Sequence, residues 1–254
     1  MMKMKHEQVQ SEYWDKEADR ITRINDEMSL VARNEISQFL DFAKIEAGMK
    51  ILEIGCGAGR FTVPLLKRDV YVTGTDISQK SLEALDLYCN KLNLAHRLHL
   101  INTDFDKPLF KNEFDVIIIG NVIHHFNPEI KFEILRNITK ALKPGGQIVI
   151  FEPNGRHPLY LPYYLYLEWS GRQKGIWQAE KGVMKSKFNE LKKILQNCDI
   201  QFINVHYHTI IPLRLEERFK FIPAVNKTLE KVPVLKNFSA FLWIKGEKSF
   251  NKLI

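Results

Sequence analysis

The sequence predicts an α/β protein: a mostly parallel sheet with helices on both faces and a lid inserted after the fifth strand. Three observations carry that prediction. From residue 49 to residue 152, short apolar runs of strand length alternate with stretches of helical period. One run, Phe114-Asp115-Val116-Ile117-Ile118-Ile119, is almost continuously apolar, as a strand covered on both faces requires. After Glu152 the rhythm breaks and resumes only near Ser186. Strands alternating with helices of this length imply right-handed crossovers and parallel pairing.

Residues 1–48 read as a helical lead-in, with Ile36, Phe39, Leu40 and Ala43 on one helical face and Gly48 where a helix would stop. Residues 49–152 form the regular core. Met49–Ile54 is a strand candidate running into Gly55-Cys56-Gly57-Ala58-Gly59, with a helix over 60–68 and a strand Val70–Thr75 ending in Asp76 after it. Ser78 suits the N-cap of a helix over 79–92, because its hydroxyl can accept from a first-turn N–H. Arg97–Asn102 reads as the third strand, Phe114–Ile119 as the fourth and 128–142 as a helix. Lys143-Pro144-Gly145-Gly146 reads as its stop and Gln147–Phe151 as the fifth strand. Residues 153–254 complete the same domain. Within them 155–180 looks aromatic and irregular, Ser186–Gln196 helical, Ile200–Ile211 extended, 212–233 helical between prolines, and Phe238–Ile244 the closing strand. The lid is expected over about 155–185 and 212–237.

The composition sets the class. The chain has 254 residues, 45% hydrophobic and 26% charged, which excludes a disordered or low-complexity protein. Its length suits one large domain or one domain with an insertion. Cys56, Cys89 and Cys198 form no CxxC pair, so neither a disulfide framework nor a cysteine zinc site is supported. The start turns polar at once, unlike a signal peptide, and no apolar run reaches the ~18 residues of a membrane span. The expected location is cytoplasmic, compatible with a peripheral position at a membrane. The formal net charge of +7 is concentrated: residues 155–237 hold 14 Lys and Arg against 7 Asp and Glu.

The Gly-rich turn is the strongest chemical signal. Alternating glycines after a strand let backbone approach a ligand and present amide donors at a helix start. Arg60 stands where a dinucleotide fingerprint wants a small residue, and the GK[ST] of a phosphate-binding P-loop is absent. The spacing Glu53-Ile54-Gly55-Cys56-Gly57-Ala58-Gly59 instead resembles motif I of the class I S-adenosylmethionine (SAM)-dependent methyltransferases, of the type 11/12 kind. Four further stations come in order: Asp76, Asp104-Phe105, Gly120-Asn121, and Leu142-Lys143-Pro144-Gly145-Gly146. The resemblance covers roughly residues 45–152. It implies a Rossmann-like seven-stranded sheet with its last strand antiparallel, and SAM as cofactor with S-adenosylhomocysteine as product. It also implies that Glu53 belongs to the cofactor site, that the backbone of Gly55, Gly57 and Gly59 serves the methionine end, Asp76 the ribose hydroxyls, Ile77 and Asp104-Phe105 the adenine, and Asn121 the turn beneath the methionine. Taken singly, Asp76 equally suits a helix cap and Asp104 a turn.

The segment after the fourth strand bears on the acceptor. The Asn-Pro-Pro-Tyr type of tetrapeptide that marks many base-nitrogen methyltransferases is missing, and no cysteine stands there for covalent attack on a base. Val122-Ile123-His124-His125-Phe126 resembles the small-molecule, lipid and glycoconjugate branch. His124 and His125 are candidate bases, since an imidazole titrates near the working pH, and Glu152 is a third candidate. Each also suits a purely structural hydrogen-bonding role. Tyr160–Leu167, with Arg156, Arg172 and Lys174 beside it, suits a membrane interface or an amphiphilic anionic substrate as well as a packed lid. Tyr13-Trp14 suits a cover over the cofactor or simple packing. His206 and His208 share a strand face, but no third ligand stands at metal spacing, so no metal is expected. The preferred function is methyl transfer by direct displacement to a small-molecule, lipid or glycoconjugate acceptor. The rivals are an RNA methyltransferase using the basic C-terminal region and a non-catalytic SAM-binding protein.

Overall fold

The computed structural model describes residues 6–16, 28–211, 215 and 218–250 of the chain. Its strands are β1 (Lys50–Ile54), β2 (Tyr71–Asp76), β3 (Leu98–Asn102), β4 (Phe114–Gly120), β5 (Leu142–Pro153), β6 (Ile200–His208) and β7 (Phe241–Lys248). They form a seven-stranded sheet in the order β3-β2-β1-β4-β5-β7-β6. The strands β1 to β5 pair in parallel, while β7 runs antiparallel between β5 and β6. The expected Rossmann-like α/β architecture is therefore present. The helices are α1 (residues 6–16), α2 (Leu30–Phe42), α3 (Thr62–Leu66), α4 (Gln79–Lys91), α5 (Lys131–Thr139), α6 (Tyr160–Trp169), α7 (Ile176–Glu180), α8 (Phe188–Gln196) and α9 (Ile222–Leu229). Among the described residues no helix is long and apolar enough to cross a membrane.

Alternation along the strands divides the core in two. Ile51, Val116, Ile118, Val149 and Phe151 face α2, α3 and α4, where they meet Phe39, Leu40, Leu65, Leu66 and Leu85. Leu52, Ile117, Ile119, Ile148 and Ile150 face α5 and α8, against Ile134, Leu135, Ile138, Leu191 and Leu195. Each such side chain contributes about 1.5–3 kcal/mol on full burial, so the two faces together fix the sheet between its helices. Phe39 sits at the centre of one layer, its ring 5.3 Å from Phe61, 5.3 Å from Phe151 and 5.7 Å from Trp243.

Several boundaries differ from the sequence reading, for identifiable reasons. Residues 155–180 are largely helical rather than irregular. Helix α6 is apolar nearly all round, so no 3.6-residue period shows in its sequence. The Lys143–Gly146 segment is not a stop before β5 but part of it. Leu142 already pairs with Phe114, and Gly145, at φ +76°, takes up a register shift before Gln147 pairs with Val116. Of the helical stretch expected over 212–233, α9 covers Ile222–Leu229, while residues 212–214 and 216–217 lie outside the described residues.

The sheet order reverses at β1, with β2 and β3 on one side and β4 and β5 on the other. Connections leaving the carboxyl ends of β1 and β4 part in opposite directions, which opens a crevice there.

Candidate active site

A cavity of about 330 Å³ occupies this crevice. Its floor is the turn after β1. Gly57 lies at φ +51°, a conformation costly for other residues, and no heavy atom lies within 4 Å of where its Cβ would stand. The Gly57 N–H donates to Asp76 Oδ2 at 2.8 Å, and the Ser78 N–H donates to Asp76 Oδ1 at 2.9 Å. Burial raises the Asp76 carboxyl above its ordinary range, and the backbone N–H groups of Ser78, Gly57 and Ile77 pull it back. Each oxygen thus accepts from one backbone N–H at these distances and keeps a lone-pair direction for another donor.

Of the residues singled out in the sequence, Gly55, Gly57, Asp76, Ile77, Asp104, Phe105, Asn121 and His125 line the cavity. Phe105 and Asn121 adopt φ +57° and +56°, left-handed values that non-glycine residues hold only when their surroundings impose them. Here the Asn137 amide donates to the Phe105 carbonyl at 3.2 Å, and the Asn121 N–H donates to the Phe151 carbonyl at 2.7 Å. Glu53 and Gly59 are not in the lining. Strand alternation turns Glu53 towards α3, where the Thr62 hydroxyl donates to it at 2.7 Å. Burial pushes the Glu53 carboxyl up to about 8, against the lowering by Thr62. At Gly59 a Cβ would stand 2.4 Å from Leu85 Cδ1, so that glycine permits packing of the turn on α4.

The three candidate bases separate. His124 Nδ1 lies 2.7 Å from Glu152 Oε1, which also accepts the His124 N–H at 2.8 Å, and His124 Nε2 lies 3.1 Å from Glu180 Oε2. Both ring nitrogens therefore donate to carboxylates. Burial opposes the imidazolium, but the charge and hydrogen bond of Glu152 and those of Glu180 outweigh it and raise His124 well above an ordinary histidine. His124 and Glu152 form a buried ion cluster outside the cavity lining. His125 lines the cavity, its Nδ1 3.0 Å from the Ala179 carbonyl and its Nε2 4.0 Å from Glu180 Oε1. A carbonyl only accepts, so Nδ1 carries the proton and Nε2 is the acceptor. Burial and the neighbouring His124 charge lower His125 to about 4, which keeps it neutral.

Sequence reasoning missed Glu180 and most of α1. Glu180 ends α7, in a segment whose period was hidden. Helix α1 borders the cavity with His6, Glu7, Gln10 and Trp14. His6 Nε2 lies 2.7 Å from the His125 carbonyl, the Ser11 hydroxyl donates to the Ile77 carbonyl, and Trp14 meets the His125 ring edge-on at 5.3 Å. Both carboxylate oxygens of Glu7 are buried without a hydrogen-bond partner among the described residues, which suits a cationic or donor-rich ligand. Arg60 also borders the cavity and is tied to Glu35 of α2 at 3.1 Å. The expectation that His206 and His208 lack a third ligand is corrected: the fold brings the Glu230 carboxylate to 4.0 Å from one and 3.9 Å from the other. That ligand comes from the end of α9, too distant in sequence for a spacing rule to find.

Residues 52–148 match the family model described as "Methyltransferase domain". That segment is a methyltransferase domain, and the fold around it is that of class I SAM-dependent methyltransferases. The chain is 24% identical over 203 residues to a ubiquinone biosynthesis O-methyltransferase of Rickettsia felis, covering 78% of each chain. It is 31% identical over 130 residues to the tRNA N(3)-methylcytidine methyltransferase trm140 of Schizosaccharomyces pombe, covering 48% of this chain and 42% of that one. Several other curated relatives are matched over less than half of their length, two polyketide synthases over only 6%. Among solved structures, a phosphoethanolamine N-methyltransferase of Haemonchus contortus in complex with S-adenosyl-L-methionine superposes with a TM-score of 0.61. At 19% identity, over 84% of this chain and 52% of that one, it shows a shared fold.

Proposed function

We propose that the methyltransferase moves a methyl group from SAM to a small amphiphilic acceptor. The observation that carries this reading is the arrangement of Asp76 and Gly57. A half-buried carboxylate, its two oxygens accepting from the Gly57 and Ser78 N–H groups, stands beside a glycine whose Cβ direction is open. A carboxylate so held suits a pair of vicinal hydroxyls, and the unpartnered Glu7 carboxylate suits a cationic ligand. When bound, SAM supplies a methyl group on a sulfonium, activated for direct displacement. Gly55 and Gly57 would hold the amino-acid end, Asp76 the ribose, and Asp104, Phe105 and Ile77 the adenine.

The chain's remaining task is to orient the acceptor and hold its proton. His125 is better suited than His124 to take that proton. Its Nε2 is an unprotonated acceptor on the cavity wall, whereas both nitrogens of His124 already donate. Glu180, poised 4.0 Å from His125 Nε2, would stabilise the imidazolium that forms. Helix α1 would exclude water from the cavity mouth.

The amphiphilic character is supported by α6, which exposes Leu161, Tyr163, Leu165, Tyr166 and Trp169, the last 88% exposed. Arg172 lies over the Tyr166 ring at 5.3 Å, within the region carrying the charge surplus. An apolar aromatic helix with basic neighbours suits the surface of an anionic membrane, and a cytoplasmic position at such a surface is part of this proposal. A second reading, methylation of RNA, is favoured by the same charge surplus and by the similarity to the tRNA methyltransferase.

The test is to incubate the chain with methyl-labelled SAM and a host extract, then partition the label into organic, nucleic-acid, protein and small aqueous fractions. Label in the organic or small aqueous fraction supports the proposal; label in RNA replaces it with the second reading. Asp76→Ala is expected to weaken S-adenosylhomocysteine binding by about 10- to 100-fold. A change within twofold by calorimetry would remove Asp76 from the ribose site.

A further inference from the structure

Strand β6 ends in His206-Tyr207-His208 at the same edge of the sheet as the cavity, since β6 runs parallel to β5. Alternate strand residues share a face, so the two imidazoles project together, with ring centroids 5.8 Å apart. Both pack on Trp243, at 5.1 and 4.1 Å. Glu230, the C-cap of α9, brings its carboxylate to them from the C-terminal insertion. Its Oε2 lies 4.0 Å from His206 Nε2 and its Oε1 lies 3.9 Å from His208 Nδ1. One candidate ligand atom from each residue lies within 4.8 Å of the others. The Thr209 N–H donates to Glu230 Oε1 at 2.7 Å and so fixes the carboxylate beside the strand.

The far side of His208 completes the pattern. Its Nε2 stands 3.4 Å from Glu35 Oε1, close enough for a small rotation to make the hydrogen bond that neither buried atom now forms, and the other Glu35 oxygen is bound by Arg60 at 3.1 Å. A metal-bound histidine characteristically donates its second ring N–H to a carboxylate, which sets the tautomer and leaves the other nitrogen for the metal. Glu35 and Glu230 together also carry one negative charge more than Arg60 offsets while the imidazoles are neutral.

We propose that His206 Nε2, His208 Nδ1 and the Glu230 carboxylate form a site for a divalent zinc ion, with Glu35 as the positioning residue behind His208. Two imidazole nitrogens and one carboxylate oxygen match the donor set of tetrahedral zinc with a water as fourth ligand. Zinc bonds of about 2.1 Å put tetrahedral ligands roughly 3.4 Å apart, which small rotations of the half-exposed His206 and of Glu230 reach. The ion pins the C-terminal insertion to the edge strand. Through Glu35 and Arg60 it is also linked to the cavity wall. The other histidine cluster is less available, because His124 is held at both nitrogens by carboxylates and His125 at one by the Ala179 carbonyl.

The experiment is a titration of the full chain, free of any affinity tag, with Zn²⁺ by calorimetry and with Co²⁺ by visible absorption. The expected result is tight binding of zinc at this site and a tetrahedral cobalt spectrum, accompanied by a rise in Tm. His206→Gln and Glu230→Gln should abolish that binding and the rise in Tm. Glu230→Gln keeps an acceptor for the Thr209 N–H, so its metal-free Tm and circular dichroism should match the parent. Glu35→Gln should weaken zinc by about 10- to 100-fold without changing the stoichiometry. Absence of zinc binding at micromolar concentration overturns the proposal. So does binding that survives His206→Gln and is lost in His125→Gln.

Discussion

Single side chains decide what this cavity can do, and the two adjacent histidines show how. They are neighbours in sequence, yet burial among different partners drives their titrations apart. His125 is lowered to about 4 by burial and by the charge of His124. For His124 burial also opposes charge, but Glu152 and Glu180 raise it from 6.5 to about 10. A histidine raised on folding contributes stability that is complete below its unfolded value of about 6.5 and is lost as the pH rises towards 10. The difference in unfolding free energy between the parent and His124→Gln should therefore be largest below pH 6.5 and shrink steadily above it. Urea unfolding across pH 5 to 10 measures this, and a difference that grows with pH would refute the buried imidazolium. Asp76, Asp104 and Phe105 were legible in the sequence because each lies just past the run of a strand. Glu7 and Glu180 were not, because a lone acid in a polar or aromatic helix carries no spacing signal.

The elements explain why those side chains meet. Helix α1 borders the cavity and is fastened at two points, by His6 to the His125 carbonyl and by Asp15 to the Ser78 hydroxyl at 2.6 Å. Ser78 is also the N-cap of α4, so the cover is anchored to a helix start that the sheet fixes. Trp14 is the ring that closes on His125. Trp14→Ala should raise the dissociation constant for S-adenosylhomocysteine by about 3- to 10-fold, the worth of one aromatic contact, with little change in Tm. Calorimetry and a thermal melt separate the two effects, and unchanged affinity would leave α1 as a packing element only. The elements after β5 were the least legible. Helix α6 is apolar on nearly every side because part of it packs and part faces solvent, and that mixture erases the period from which helices are read.

For the whole molecule, stability rests on two apolar layers joined through one sheet. Phe39 is fully buried and touches the rings of Phe61, Phe151 and Trp243, so it couples α2 to the centre and to the antiparallel edge of the sheet. Phe39→Ala should cost about 3–5 kcal/mol in urea unfolding, the range for a large ring removed from a packed core. A loss below about 1 kcal/mol, the scale of an ordinary surface change, would mean that α2 is not part of the cooperative unit. The basic surplus, by contrast, lies in residues 155–237 and leaves the rest of the chain neutral.

The parallel strands of the core, the turns that follow them and the cover of helices on both faces could all be read from the residues. Those features are local: a period of 2 or 3.6, a glycine where backbone must turn, an acid at the end of a strand. The tertiary structure alone decided that His124 is held between Glu152 and Glu180 while His125 faces the cavity. It alone also decided that α1 lines the cavity and that Glu230 reaches His206 and His208. Each of those pairings joins residues far apart in the chain, and no local period or spacing encodes a contact made only when distant elements pack.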